Sequence, residues 1–121
     1  MFFPWPRYVQ IVWMTSFART VAGVLDDEEI RQLESQLAEY PRSGVVLSGT
    51  GGARKVRAAT RGRGKSGSVR VIYYFDEPCE QVYLLFAFPK NVQASLTAEQ
   101  ARRVRALIEM LKAQDCYGNE R

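Results

Sequence analysis

The sequence predicts an α+β domain, in which helices pack on one face of a small antiparallel β-sheet. Two patterns support this prediction: apolar residues recur at helical spacing in two long stretches, and four segments between residues 44 and 88 alternate as strands do. With 121 residues, 46% of them apolar, the chain is long enough for one domain with its own core. We place this domain at residues 8–114, expect residues 1–7 and 115–121 to be tails, and predict the order β-α-α-β-β-β-β-α.

The N-terminal part of the domain contains a strand and a short helix. The segment from Tyr8 to Met14 is rich in strand-forming side chains and predicts the first strand. Ser16 is a candidate N-cap for the short helix that follows. Its apolar side is formed by Phe17, Val21 and Val24.

Two longer helices are marked by their end signals. Asp26 or Asp27 caps the first, and Pro41 ends it. The second opens with the capping box of residues 97–100, Thr-Ala-Glu-Gln, and ends before Gly118. The apolar stripes are Ile30, Leu33, Leu37 and Tyr40 in the first helix, and Ala101, Val104, Leu107, Ile108 and Leu111 in the second.

Four strands are predicted between these helices. Residues 44–47 and 53–59 are short and alternating, whereas 69–75 and 81–88 are dense in β-branched and aromatic residues. The Asp-Glu-Pro sequence at 76–78 predicts a turn between the last two.

The formal net charge of +4 arises from one internal block. From Tyr40 to Phe75 there are eight basic residues and no acid, whereas acids outnumber bases in the segments before and after it. Such a block favours a polyanionic partner, above all nucleic acid. The alternative interpretation is a charged, solvated hairpin.

Strand alternation places several of these cations together. Lys55 and Arg57 share one face of their strand, and Arg70 and Tyr74 share one face of the next. The opposite faces carry Val56, Val71 and Phe75, which we expect to pack on the helices. The four residues then line an open face suited to holding phosphates and stacking a base, with an ordinary solvated face as the alternative.

The segment between these two strands, Thr-Arg-Gly-Arg-Gly-Lys-Ser-Gly at 60–67, resembles two phosphate-binding motifs in letters only. Both the dinucleotide fingerprint and the P-loop require a helix after the glycines, and a strand is predicted here. What remains is a flexible cationic loop. Together with Arg54, its residues Arg61, Arg63 and Lys65 are candidate RNA-binding residues, and a mobile loop without a ligand is the alternative.

Composition also excludes whole classes of chemistry. The sequence has no histidine, so no catalytic triad or zinc site based on imidazole is possible, and we predict neither a metal nor a cofactor. Cys79 and Cys116 are predicted to be reduced thiols of a cytoplasmic protein. No apolar run reaches the ~20 residues that cross a bilayer, so no membrane association is expected.

Three stretches of the sequence resemble the RelE/ParE toxin superfamily, and its HigB-like branch of RelE-type, phage-derived Gp49-like toxins in particular. They are the glycine-cationic strand at 49–57, the Arg-Val-Ile-Tyr-Tyr-Phe strand at 70–75, and the segment from Tyr83 through the Pro-Lys-Asn sequence that ends at residue 91. The similarity runs from about Val9 to Leu111.

This resemblance implies the toxin of a type II toxin–antitoxin system with a RelE-like fold. Such toxins are ribosome-dependent mRNA endonucleases, or mRNA interferases, that inhibit translation. The implied partners are the ribosome, its mRNA and a cognate antitoxin, a helix-turn-helix protein similar to HigA.

The resemblance also assigns catalytic positions to Lys55, Arg57, Arg70 and Lys90. Since neighbouring cations disfavour a charged ammonium, Lys55 is the candidate base or transition-state cation. The two arginines are candidate phosphate clamps, and Lys90 is a second clamp or the acid. Some relatives carry a catalytic tyrosine just beyond this point, where this sequence has Ala-Ser-Leu at 94–96.

Two other functions remain compatible with the sequence. A ParE-like protein with the same fold would inhibit DNA gyrase without cutting RNA. A non-catalytic RNA-binding protein would use the basic face only to hold phosphates.

Overall fold

The computed structural model describes residues 9–60 and 68–116. Its helices and strands follow the predicted order, and the α+β class is confirmed. The elements are β1 (Gln10–Trp13), α1 (Thr15–Val21), α2 (Asp27–Glu39), β2 (Val45–Val46), β3 (Ala53–Ala58), β4 (Val69–Asp76), β5 (Gln81–Pro89) and α3 (Ala98–Ala113).

The five strands form one sheet in the order β1-β5-β4-β3-β2. Neighbours from β2 to β5 are antiparallel, but β1 runs parallel to β5, with Gln10 opposite Gln81. The sheet is therefore mixed: the prediction of an antiparallel sheet holds for β2 to β5 and is wrong for β1. The segment containing α1 and α2 carries the chain from one sheet edge to the other, and strand alternation alone cannot show which edge the first strand occupies.

Helices pack on both faces of the sheet, so the prediction of helices on one face is also wrong. On one face, Phe17 of α1 and Leu33 of α2 share a core with Val71 and Tyr73 of β4. On the other face, the Val104, Ile108 and Leu111 side chains of α3 pack over a second core. The second core contains Ala53, Ile72, Tyr74, Leu85 and Phe88.

The ends of the two long helices are fixed as predicted. The Asp26 carboxylate accepts from the Glu29 amide and the Glu29 carboxylate accepts from the Asp26 amide, which closes a capping box on α2. Thr97 and Gln100 form the equivalent box on α3. Ser16 does not cap α1, because the helix begins at Thr15 and its N-cap position is Met14. The Ser16 hydroxyl donates instead to the Leu85 carbonyl at 2.6 Å.

The two cysteines form a disulfide, so the prediction of reduced thiols is wrong. Cys79 lies in the turn between β4 and β5, and Cys116 follows α3, with 5.0 Å between their Cα atoms. The bond closes a 37-residue separation that includes β5 and α3. Their sequence spacing gave no sign of this contact, which requires α3 to run back across the sheet to the turn.

Membrane-spanning helices are absent from residues 9–60 and 68–116, where no helix combines the necessary length and apolar character.

Candidate nucleic-acid interface

The register of β3 and β4 brings the predicted cations together. Arg57 lies directly opposite Arg70, and Lys55 lies opposite Ile72. Because residues paired across a sheet share a face, Lys55, Arg57 and Arg70 are on the same side of the sheet, as predicted. Lys55 and Arg70 are half-buried, and Arg57 is exposed. We call these three residues the basic face.

Tyr74 lies on the side predicted, opposite Ala53, but its position is not open. The side chain is only 7% exposed and belongs to the core beneath α3. Its ring stacks on Tyr83 with 6.4 Å between centroids. Burial raises the pKa of the Tyr74 hydroxyl, and Asp76 and Tyr83 raise it further. The expectation that Tyr74 lines an open face is therefore wrong, and α3 leaves open only the part of the face around the cations.

Lys90 lies at the same end of the sheet as the paired arginines. Arg57, Arg70 and Phe88 form one cross-strand row, and Lys90 is exposed just after the end of β5. The Lys90 amide donates to the Ser68 carbonyl at 2.9 Å. This backbone bond fixes the start of the Lys90 segment beside the start of β4.

The sequence did not predict a contact between Ser68 and Arg70. The Ser68 hydroxyl accepts a hydrogen bond from Nη1 of Arg70 at 2.5 Å. The only signal in the sequence is its position two residues before Arg70, which gives both side chains the same parity along the strand.

The basic face has no neutralising carboxylates in the described parts of the chain. Four other arginines there, Arg31, Arg42, Arg103 and Arg105, each form an ion pair with a glutamate. No such pair is formed by Lys55, Arg57 or Arg70 with any residue in 9–60 or 68–116. Cations that lie on one face and lack carboxylate partners among the described residues are suited to binding an external anion.

Arg54 does not belong to the basic face. It alternates with Lys55 and therefore points to the other side of β3. Its Nη1 atom donates to the carbonyls of Arg42 at 3.1 Å and Gly44 at 2.8 Å. These bonds fix the turn before β2, so the guanidinium is already used in holding the backbone. The remaining RNA-binding candidates, Arg61, Arg63 and Lys65, lie outside the described residues.

No cluster of three or more metal-ligating side chains is found within the described residues. The chemistry that this arrangement supports is binding and charge stabilisation of a phosphodiester by one ammonium and two guanidinium groups, with Lys90 nearby.

No known protein-family model matches the chain.

Proposed function

We propose that the protein is a ribosome-dependent mRNA endonuclease, the toxin of a type II toxin–antitoxin system. The proposal combines the resemblance of the 49–57, 70–75 and 83–91 segments to RelE-type toxins with the arrangement of the basic face. The observation that carries it is the direct pairing of Arg57 with Arg70, with Lys55 on the same face. One anionic ligand can contact all three cations from the side that α3 leaves uncovered.

Two guanidinium groups that lie opposite each other are suited to binding a phosphodiester. Guanidinium groups bind phosphate oxygens in a bidentate manner, and two of them stabilise the charge that develops when the phosphorus becomes pentacoordinate. Lys55 lies two residues from Arg57 along β3, which is about 7 Å for an extended strand. In this arrangement Lys55 is near the phosphate that Arg57 and Arg70 bind, but it is not one of the two groups that hold it.

The reaction needs one proton removed and one supplied. The ribose 2′-oxygen loses its proton to the base and attacks the adjacent phosphorus, while the bond from phosphorus to the 5′-oxygen breaks and that oxygen takes a proton. The products are a 2′,3′-cyclic phosphate and a 5′-hydroxyl. Lys55 is the candidate base or transition-state cation, and Lys90 is the candidate acid or second clamp. Positioning by the ribosome contributes the remaining acceleration.

The proposed function places the protein in the cytoplasm, together with a HigA-like helix-turn-helix antitoxin. The disulfide between Cys79 and Cys116 contributes no group to the proposed chemistry, and cytosolic thiol systems would reduce it in the compartment where the proposed function acts. It lies at the β4–β5 turn, at the opposite end of β4 from Arg70. The reduced protein is therefore expected to be active.

Induction in a bacterial host tests the proposal. We expect translation to stop first, and primer extension on a translated mRNA to show new 5′ ends that are absent when Arg70→Ala is induced. DNA damage with intact mRNA would instead identify a gyrase inhibitor. Salt-sensitive RNA binding without new ends would identify a non-catalytic RNA-binding protein.

A further inference from the structure

Ser68 connects two of the candidate catalytic residues. Its side-chain hydroxyl accepts a hydrogen bond from Arg70 Nη1, and its backbone carbonyl accepts one from the Lys90 amide. Ser68 is half-buried and lies directly before β4. A single residue thus holds the guanidinium of Arg70 and the backbone from which Lys90 projects.

Arg70 needs such a partner for an electrostatic reason. The guanidinium of Arg57 lies on the same face in the directly opposed position, and like charges at opposed positions repel. Arginine has a long, rotatable side chain, which can turn away from a repelling neighbour unless another contact holds it. Among the described residues, the Ser68 hydroxyl is the side-chain group that accepts from Arg70.

We propose that Ser68 is a positioning residue that orients Arg70 toward the scissile phosphate. The hydroxyl engages Nη1 and leaves Nε and Nη2 with donors for phosphate oxygens. Because the guanidinium is already ordered before RNA binds, less side-chain freedom is lost in the complex. This inference rests on the proposed function, and Ser68 acts through Arg70 without bonding to RNA itself.

The first test measures order and does not depend on catalysis. In the ¹⁵N spectrum of the full chain, the Arg70 Nε–H signal is assigned by its loss in Arg70→Lys. We expect a high heteronuclear NOE for this signal in the wild type, a clearly lower one in Ser68→Ala, and recovery in Ser68→Thr, which restores the hydroxyl. Ser95→Ala, which removes the hydroxyl of an exposed serine, is the matched control. An unchanged NOE in Ser68→Ala overturns the proposal.

The second test measures cleavage of ribosome-bound mRNA by the same variants. Loss of one hydrogen bond to a charged group predicts a kcat reduced by about 10- to 100-fold in Ser68→Ala, with KM for the programmed ribosome little changed. Ser68→Thr should recover most of this loss. In an Arg70→Lys background, Ser68→Ala should have no further effect beyond about twofold, because the two residues act as one unit.

The outcomes distinguish failure of the role proposed for Ser68 from failure of the proposed function. In one outcome, the wild type cleaves mRNA while Ser68→Ala lowers kcat by the same factor in the wild-type and Arg70→Lys backgrounds. That result rejects the positioning role of Ser68 and leaves the proposed function intact. Absence of cleavage by a correctly folded wild-type protein on programmed ribosomes rejects the proposed function, and with it the contribution of Ser68 to cleavage.

Discussion

Arg57 and Arg70 lie directly opposite each other on the antiparallel strands β3 and β4. Opposed like charges destabilise a sheet, and neither residue forms an ion pair with a carboxylate in the described parts of the chain. An anion bound between them removes the repulsion. The pairing is therefore unfavourable for the free protein and favourable for its complex, as expected of a binding site.

Removing one member of the pair should stabilise the free protein. We expect Arg57→Gln to raise the free energy of unfolding by about 0.2–1 kcal/mol, because it relieves the cross-strand repulsion. Urea denaturation measures this change. Arg103→Gln is the control, since Arg103 is paired with Glu99 and its loss should give no gain. Equal destabilisation by both substitutions would contradict the claim that Arg57 and Arg70 repel each other.

Replacing either arginine of the pair should weaken RNA binding and make the affinity less dependent on salt concentration. Each phosphate contact to single-stranded RNA contributes about 0.7 to the slope of log K against log salt concentration. We expect Arg57→Gln and Arg70→Gln each to reduce that slope by about this amount, measured by fluorescence anisotropy with a short single-stranded RNA. A slope unchanged in both variants would place the RNA elsewhere on the protein.

Loss of the disulfide should reduce stability without abolishing activity. Closure of a loop of this length by Cys79 and Cys116 predicts a loss of about 4 kcal/mol in unfolding free energy for the Cys79→Ser, Cys116→Ser double variant. Reduction of the wild type should produce a similar loss in urea denaturation. Ribosome-dependent cleavage by the double variant should remain close to wild type at a temperature where it is folded. Selective loss of cleavage there would mean that the disulfide contributes to the active form.

The hydroxyl of Tyr73 should be important for stability. It donates to the Pro41 carbonyl at 2.7 Å and accepts from the Gly44 amide at 2.9 Å, and the residue is fully buried. Tyr73→Phe leaves both backbone groups without this partner, so we expect a loss of about 1–3 kcal/mol. Tyr83→Phe is the control, because its half-buried hydroxyl donates to the Gln81 side chain and to no backbone group within the described residues, and the substitution should cost less than about 0.5 kcal/mol.

Stability should fall at alkaline pH. Burial raises the pKa of Tyr73, Tyr74 and Tyr83 above the ordinary value of 10.0. The folded protein therefore retains these protons at a pH where the unfolded chain loses them, so their stabilising contribution is complete below pH 10.0 and is lost as the pH rises further. Urea midpoints between about pH 8 and 11 should show this fall, and Tyr74→Phe should make it shallower. If the urea midpoint of Tyr74→Phe fell with pH as steeply as that of the wild type, Tyr74 would not contribute to the loss of stability.

Most elements could be predicted because their signals are local. The capping boxes of α2 and α3 need only residues three positions apart, and the strand alternation that groups Lys55, Arg57 and Arg70 needs only the residues within two strands. These features do not depend on how distant segments meet.

The errors all concern contacts between distant segments. Strand β4 is apolar on both faces, with Ile72 and Tyr74 on one side and Val71 and Tyr73 on the other, which is typical of a strand covered on both sides. This pattern could have predicted the position of α3. The parallel pairing of β1 and the bond between Cys79 and Cys116 join segments that are far apart in the sequence, so they cannot be predicted until the chain is placed in space.

Cleavage by the purified protein in a reconstituted system tests the central claim most directly. Wild-type protein and the Lys55→Ala, Arg57→Ala and Arg70→Ala variants are each incubated with an mRNA, either free or bound to programmed ribosomes. We predict 2′,3′-cyclic phosphate ends only on ribosome-bound mRNA, with a rate reduced by about 100- to 1,000-fold when either arginine is replaced. Equal cleavage by wild type and both arginine variants, or no cleavage by folded wild type, would contradict the account.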